Sequence, residues 1–312
     1  RVAAAISGKA NAIAALGELQ VVDSAFDFYL ERYVSPGLKL GLLPLPAEVF
    51  GGFTGLLADP ARRDELDELR NNPRPAAAEP YDSHPPTSER IAAIAALADD
   101  GVTPDTSGVK AIAILANPAD SLTRVAGRAL QKQTAGKQAA SWDALAQANG
   151  LYHADQRAKP LQDTITGLGG RPAQVATFVE MVGAGRLNEI LDALPRNEAS
   201  RLTNATGRVA REHAKTELAA MLRGWILADM VRSGRASWSH SWAEIGGKLE
   251  MAPQLRAEVD AAVGALVAVR PDDAPLRALV LNAPAGPDTP GAATVAGAAT
   301  VAGAATGSAV AA

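Results

Sequence analysis

At 312 residues, 47% of them apolar and 21% charged, the chain is long enough for two domains with real cores. Its 30 basic and 34 acidic residues are interspersed to a formal charge of -4, leaving no basic stripe to neutralise a phosphate backbone, so nucleic acid is not an expected partner. Absence of cysteine excludes disulfides, thiolate metal sites and a cysteine nucleophile, and fits a reducing compartment.

The aromatic share is only 4%, and alanine supplies much of the apolar count. Close packing of helices is therefore expected, and the fold class reads as all-α. Residues 1–19 place Val2, Ile6, Ile13, Leu16 and Leu19 at helical spacing, with Gly8 as a break. The continuation to Tyr33 carries Val22, Phe26, Tyr29 and Leu30 on a broad stripe, and Pro36 with Gly37 is expected to stop it. A helix follows over 46–57, and another after Asp59 as N-cap with Pro60 at its first position, ending near Arg70. The proline-rich segment 71–80 is an extended linker.

Pro85 and Pro86 suit the first turn of a helix that carries Ile91, Ile94 and Leu97 and ends before Gly101. The polar run 101–108 is the expected domain boundary. Residues 109–282 read as a second helical bundle, with helices near 121–133, 141–148, 172–182, 186–193, 198–232, 242–249 and 253–269. The Ala/Gly-rich repeat of 283–312 cannot bury enough surface to offset the entropy of ordering, and reads as a disordered tail.

No run of about 18 uninterrupted apolar residues occurs. The nearest, Gly37 to Leu57, is broken by Lys39, Pro44, Pro46 and Glu48, so the chain itself reads as soluble and cytoplasmic. It opens on Arg1 without an initiator Met or signal peptide, which points to processing or truncation.

The simplest catalytic zinc site needs two His one helical turn apart with a Glu between them, and no H-E-x-x-H occurs. His84, His153, His213 and His240 are far apart in sequence. Glu212, His213 and Glu217 lie among Arg208, Arg211 and Lys215 and read as a solvated helix face. His153 and His240 read as surface or helix-end residues. Gly167, Gly169 and Gly170 read as a turn between helices, and no G-x-S-x-G is present. What remains is His84 with Arg90, a neutral-pH donor at a proline-locked helix start and a permanent cation less than two turns later. On spacing alone, a purely structural pair is the favoured reading, His84 capping the helix and Arg90 pairing with Asp82 or Glu89.

The segment Ser83-His-Pro-Pro-Thr-Ser-Glu-Arg-Ile91, followed by a regular Ile/Leu helix, resembles the distal motif H-P-x-x-x-x-R-[IL] of the membrane zinc endopeptidases that include HtpX and the CAAX prenyl endopeptidase (peptidase family M forty-eight). His84, Pro85, Arg90 and Ile91 match it in order and spacing. The start, Arg1-Val-Ala-Ala-Ala-Ile-Ser-Gly8, is similar to the stretch that follows the family's third zinc ligand. This resemblance covers about residues 1–100 and contains no zinc ligand. It implies that residues 1–100 are the C-terminal helices of a zinc metallopeptidase domain, with the metal ligands and membrane helices upstream, so that this chain alone binds no metal and is inactive. It also implies that His84 donates to the oxyanion formed at a peptide carbonyl, that Arg90 orients the site or pairs with a nearby acid, that the substrate is a peptide or protein, and that the full-length protein is membrane-associated. Competing with this is a non-catalytic helical protein-interaction module. Residues 109–282 carry no motif and are expected to be a regulatory or substrate-presenting attachment.

Overall fold

Gly8 takes φ 86, a left-handed conformation that suits glycine, and it divides helix α1 (Val2–Ser7) from helix α2 (Lys9–Tyr29) as the spacing predicts. The computed structural model describes residues 2–72, 85–98, 110–130, 136–195 and 207–281. Over these the chain is all-α, relieved by short two-stranded pairings. The linker expected at 101–108 and the tail expected at 283–312 lie outside the described residues.

Pro36 does not stop the chain. Residues Leu30–Val34 form a π-turn in which Ser35 N–H donates to Leu30 O, and α3 (Ser35–Lys39) follows directly. The wider turn shifts the register by one residue, so Pro36 enters the first turn of a new helix, where its missing N–H is not needed. The chain then forms β1 (Leu42–Pro44), a 3₁₀ turn at Pro46–Glu48, α4 (Val49–Ala58) and a 3₁₀ turn at Pro60–Arg62. Asp59 caps that turn, its Oδ1 accepting from Ala61 N–H at 2.8 Å, and α5 (Arg63–Asn71) continues it. Then come α6 (Thr87–Ala95), α7 (Pro118–Leu130) and β2 (Gln138–Ala140), which pairs in parallel with β1, Leu42 opposite Gln138.

Helix α8 (Trp142–Gly169) runs far beyond the predicted 141–148 and passes through Pro160 without ending. Gly170, at φ 65, ends it; of the three glycines expected to form the turn, Gly167 and Gly169 are instead helical and only Gly170 turns the chain. After it come α9 (Val175–Gly183), α10 (Leu187–Ala193), α11 (Gly207–Arg232), β3 (Ala236–Ser239), β4 (Lys248–Met251), α12 (Pro253–Val267) and α13 (Ala274–Leu281). The helix predicted at 242–249 is absent. Gly246 and Gly247 stand at φ 90 and 91, which no helix accommodates, and the segment leads into β4.

The chain forms two compact units, Arg1–His153 with Trp238–Glu250, and Ala154–Ser237 with Met251–Ala312. The division falls inside α8. The core of the first unit gathers Tyr29, Tyr33, Val34, Leu43, Val49 and Leu56, with Phe26, Phe53, Trp142 and Trp242 packed around them. Its scarce aromatics are thus concentrated in one place, where each large ring removes the most apolar surface from water. In the second unit Leu161, Ile165, Phe178, Ile190, Leu218, Leu222, Leu266 and Leu276 are fully buried, on helices α8 to α13.

Candidate functional site

Of the two residues carried by the resemblance, Arg90 is described and His84 lies outside the described residues. Pro86 precedes α6 with an extended backbone (φ -48, ψ 145), and its carbonyl accepts from Arg90 N–H at 3.1 Å, closing the first turn. Arg90 is exposed on this helix and pairs with no described carboxylate, Glu89 included; Asp82 lies outside the described residues. Ile91 and Ile94 form the half-buried face of α6, continued by Leu97 just past its end; the helix packs on α2, and Lys9 Nζ donates to Leu97 O at 2.9 Å. Helix α1, which lies within the first resembling segment, and helix α6, which begins within the second, therefore both pack on α2.

A second constellation in the first unit was not anticipated from sequence. Arg62 is 8% exposed and reaches across to the segment that follows β3. Its Nε donates to Trp242 O at 2.8 Å and its Nη2 to Ala243 O and Tyr33 Oη, both at 3.0 Å, while Nη1 holds both Glu65 oxygens at 2.9 Å. The Tyr33 hydroxyl in turn donates to Trp242 O at 2.7 Å. Burial works against the Arg62 charge, but hydrogen bonds with Glu65 and Tyr33 outweigh it, and its pKa is raised. The Tyr33 phenol is pushed up by burial, with Arg62 opposing. Such a cation with filled donors holds a loop in place and has no donor left for a substrate.

No family model matches the chain, nor does any curated protein or solved structure.

His240 is not a plain surface histidine. Its ring lies 3.9 Å from the Trp242 centroid, 5.4 Å from Trp142 and 6.2 Å from Tyr33, and its backbone N–H donates to Asp143 Oδ1 at 2.8 Å. Two residues earlier, Trp238 N–H donates to Gln147 Oε1 at 2.6 Å, one turn along α8 from Asp143. Alternate backbone donors of an extended segment thus meet acceptors at i and i+4 on a helix. The adjoining cavity, lined by Arg32, Tyr33, Trp142, Asn149 and His240, measures about 20 Å³, room for a water and not for a peptide side chain.

Burial lowers the His240 pKa below its ordinary 6.5, with Asp143 opposing. The unfolded chain thus takes up this proton first as pH falls, so stability is full above the unfolded value and declines as acid drives the pH through the folded one. Arg32, Asp143 and Tyr33 are the ionisable groups around the ring. The urea midpoint of the wild type should fall between about pH 7.5 and 5.5, and His240→Phe should remove most of that slope. An unchanged slope in the variant would assign the pH dependence to other groups.

Among the described residues no group of three or more His, Asp or Glu is placed to hold a metal ion. His213 and Glu212 are exposed, as a solvated charged face predicts, but Lys215, which pairs with Glu212 at 3.6 Å, is largely buried and donates to Ala268 O at 2.9 Å. His153 is likewise exposed, with its ring 5.5 Å from Tyr152.

Proposed function

We propose that residues 1–100 are the distal, C-terminal part of a zinc-dependent metalloendopeptidase domain, to which His84 contributes a hydrogen-bond donor for the substrate oxyanion and Arg90 a fixed positive charge. The observation that carries this reading is the motif His84-Pro85-x4-Arg90-Ile91 opening a helix that packs on α2, next to the start that resembles the stretch after the family's third ligand. The metal would supply the polarised water of peptide hydrolysis. No ligand set for it is found among the described residues, so the share of the chemistry assigned to this chain is binding and orienting the substrate carbonyl. Exposure of Arg90 fits a residue kept for a partner other than a neighbouring carboxylate.

Among the described residues no helix is long and apolar enough to cross a membrane. Membrane association, which the resemblance implies, would then rest on segments outside those described. Reading the gene upstream of the Arg1 codon tests the proposal: an H-E-x-x-H and a further Glu ligand are expected, and their absence removes the peptidase assignment. The competing reading, a helical protein-interaction module, is favoured by Ile112, Ile114 and Leu115, aliphatic residues exposed by 41%, 84% and 44% on one short turn.

A further inference from the structure

A groove of about 370 Å³ runs along the first unit between α2 and α5. That volume is in the range of pockets that enclose a small ligand or a few side chains. Its floor is apolar, made by Phe28, Leu66 and Leu69. Its rim is acidic, with Asp27 and Glu31 from α2 and the turn that follows it, and Glu65 from α5. The walls are tied together: Arg70 on α5 donates to both oxygens of Glu18 on α2, at 2.7 and 3.0 Å, and to Asp67 at 2.7 Å. These bonds also hold the Glu18 carboxyl below the usual range. The groove is thus built before any partner arrives.

The charges decide what it takes. Asp27 and Glu31 stand one helical turn apart, a like-charge pair that works against the helix, and neither is paired with a cation among the described residues. Glu65 is already held by Arg62, whose other donors are filled by Tyr33, Trp242 and Ala243, so that pair is neutral to a newcomer. Arg32 also lines the groove, next to Glu31 in the chain and more than a helical turn from Asp27. Beyond the lining, α5 sets Asp64, Asp67 and Glu68 against Arg63 and Arg70, which extends the negative field over the groove. A divalent metal is not the occupant, because these carboxylates do not converge as a metal site. An apolar floor under a carboxylate rim matches the lysine side chain, with a methylene stem below and an ammonium at its tip.

We propose that this groove binds a basic amphipathic peptide segment, lysine stems lying on Phe28, Leu66 and Leu69 and ammonium groups meeting Asp27 and Glu31. The site is separate from His84 and Arg90 and does not depend on peptide hydrolysis. Fluorescence anisotropy with a fluorescein-labelled peptide of alternating Leu and Lys tests it, with a Leu/Glu peptide of equal length and free hexylamine as controls. The Leu/Lys peptide should bind, and the Asp27→Asn/Glu31→Gln double variant should bind it at least about tenfold more weakly with a thermal midpoint no lower than that of the wild type, both side chains being exposed. Leu69→Asn, which wets the floor and keeps the rim, should weaken it as well. Absence of binding, equal binding of the Leu/Glu peptide, or unchanged affinity in the double variant would each overturn the proposal. Displacement by hexylamine at equal concentration would overturn the peptide as occupant in favour of a small amine.

Discussion

Replacing Arg62 with Met will lower the unfolding free energy of the first unit by about 3 kcal/mol, because the carbonyls of Trp242 and Ala243 lose charged donors in a place where water has little access. The side chain is only 10% exposed, its stem packs in the core and its guanidinium lies 5.3 Å from the Phe28 centroid. Methionine restores the stem volume and none of the donors. Glu65→Gln is the control: that carboxylate is 61% exposed, so removing its charge should shift stability by less than about 1 kcal/mol. Urea unfolding followed by tryptophan fluorescence reads both, since Trp142 and Trp242 lie in the affected cluster. A loss below about 1 kcal/mol in Arg62→Met would mean that the segment after β3 is held by its rings alone.

Gly150→Ala will be destabilising by about 2 kcal/mol, against the helix propensity that normally favours alanine. A Cβ at Gly150 would lie 2.6 Å from Cε2 of Trp238, closer than carbon atoms approach, and the indole has to leave its seat on α8. The same relation recurs at Gly52, where a Cβ would stand 2.8 Å from Cζ2 of Trp142, and at Gly55, 2.5 Å from Nε1 of Trp242. Gly17, in the middle of α2, meets nothing within 4 Å, so Gly17→Ala should be neutral or stabilise by up to about 1 kcal/mol. Thermal unfolding of the two variants side by side checks the contrast. Equal effects would show that the glycines near the tryptophans are not seats.

These tests bear on what a sequence alone can reveal. Gly8, the Asp59-Pro60 cap and the Pro85-Pro86 helix start act within one helical turn, and each was legible; the glycine turn was legible only at Gly170, Gly167 and Gly169 being helical. Pro36 misled, because a proline signals a stop only where the backbone cannot widen a turn, and the end expected at 148 misled because packing carries α8 on through Asn149, Gly150 and Pro160. The segment 242–249 misled for another reason. What fixes Trp242 is Arg62, 180 residues away, and what seats the tryptophans is a set of glycines on other elements, a relation with no local periodicity. His240 looked plain because its neighbours are Trp142 and Trp242, supplied by the fold. Its only sequence signal was the nearby cluster of two tryptophans and a glycine pair, Trp238, Trp242, Gly246 and Gly247. Of the candidate site, the helix start at Arg90 was legible from the prolines, and the functional reading of His84 came from resemblance.

The peptidase reading predicts one result above all. Hydrolysis of an unfolded protein substrate by the complete gene product should fall at least about a hundredfold in His84→Ala, the usual scale for losing an oxyanion donor, with the thermal midpoint unchanged. Full hydrolysis by that variant, or a loss of stability with activity retained, would contradict the account and leave His84 as a structural residue of a helical interaction module.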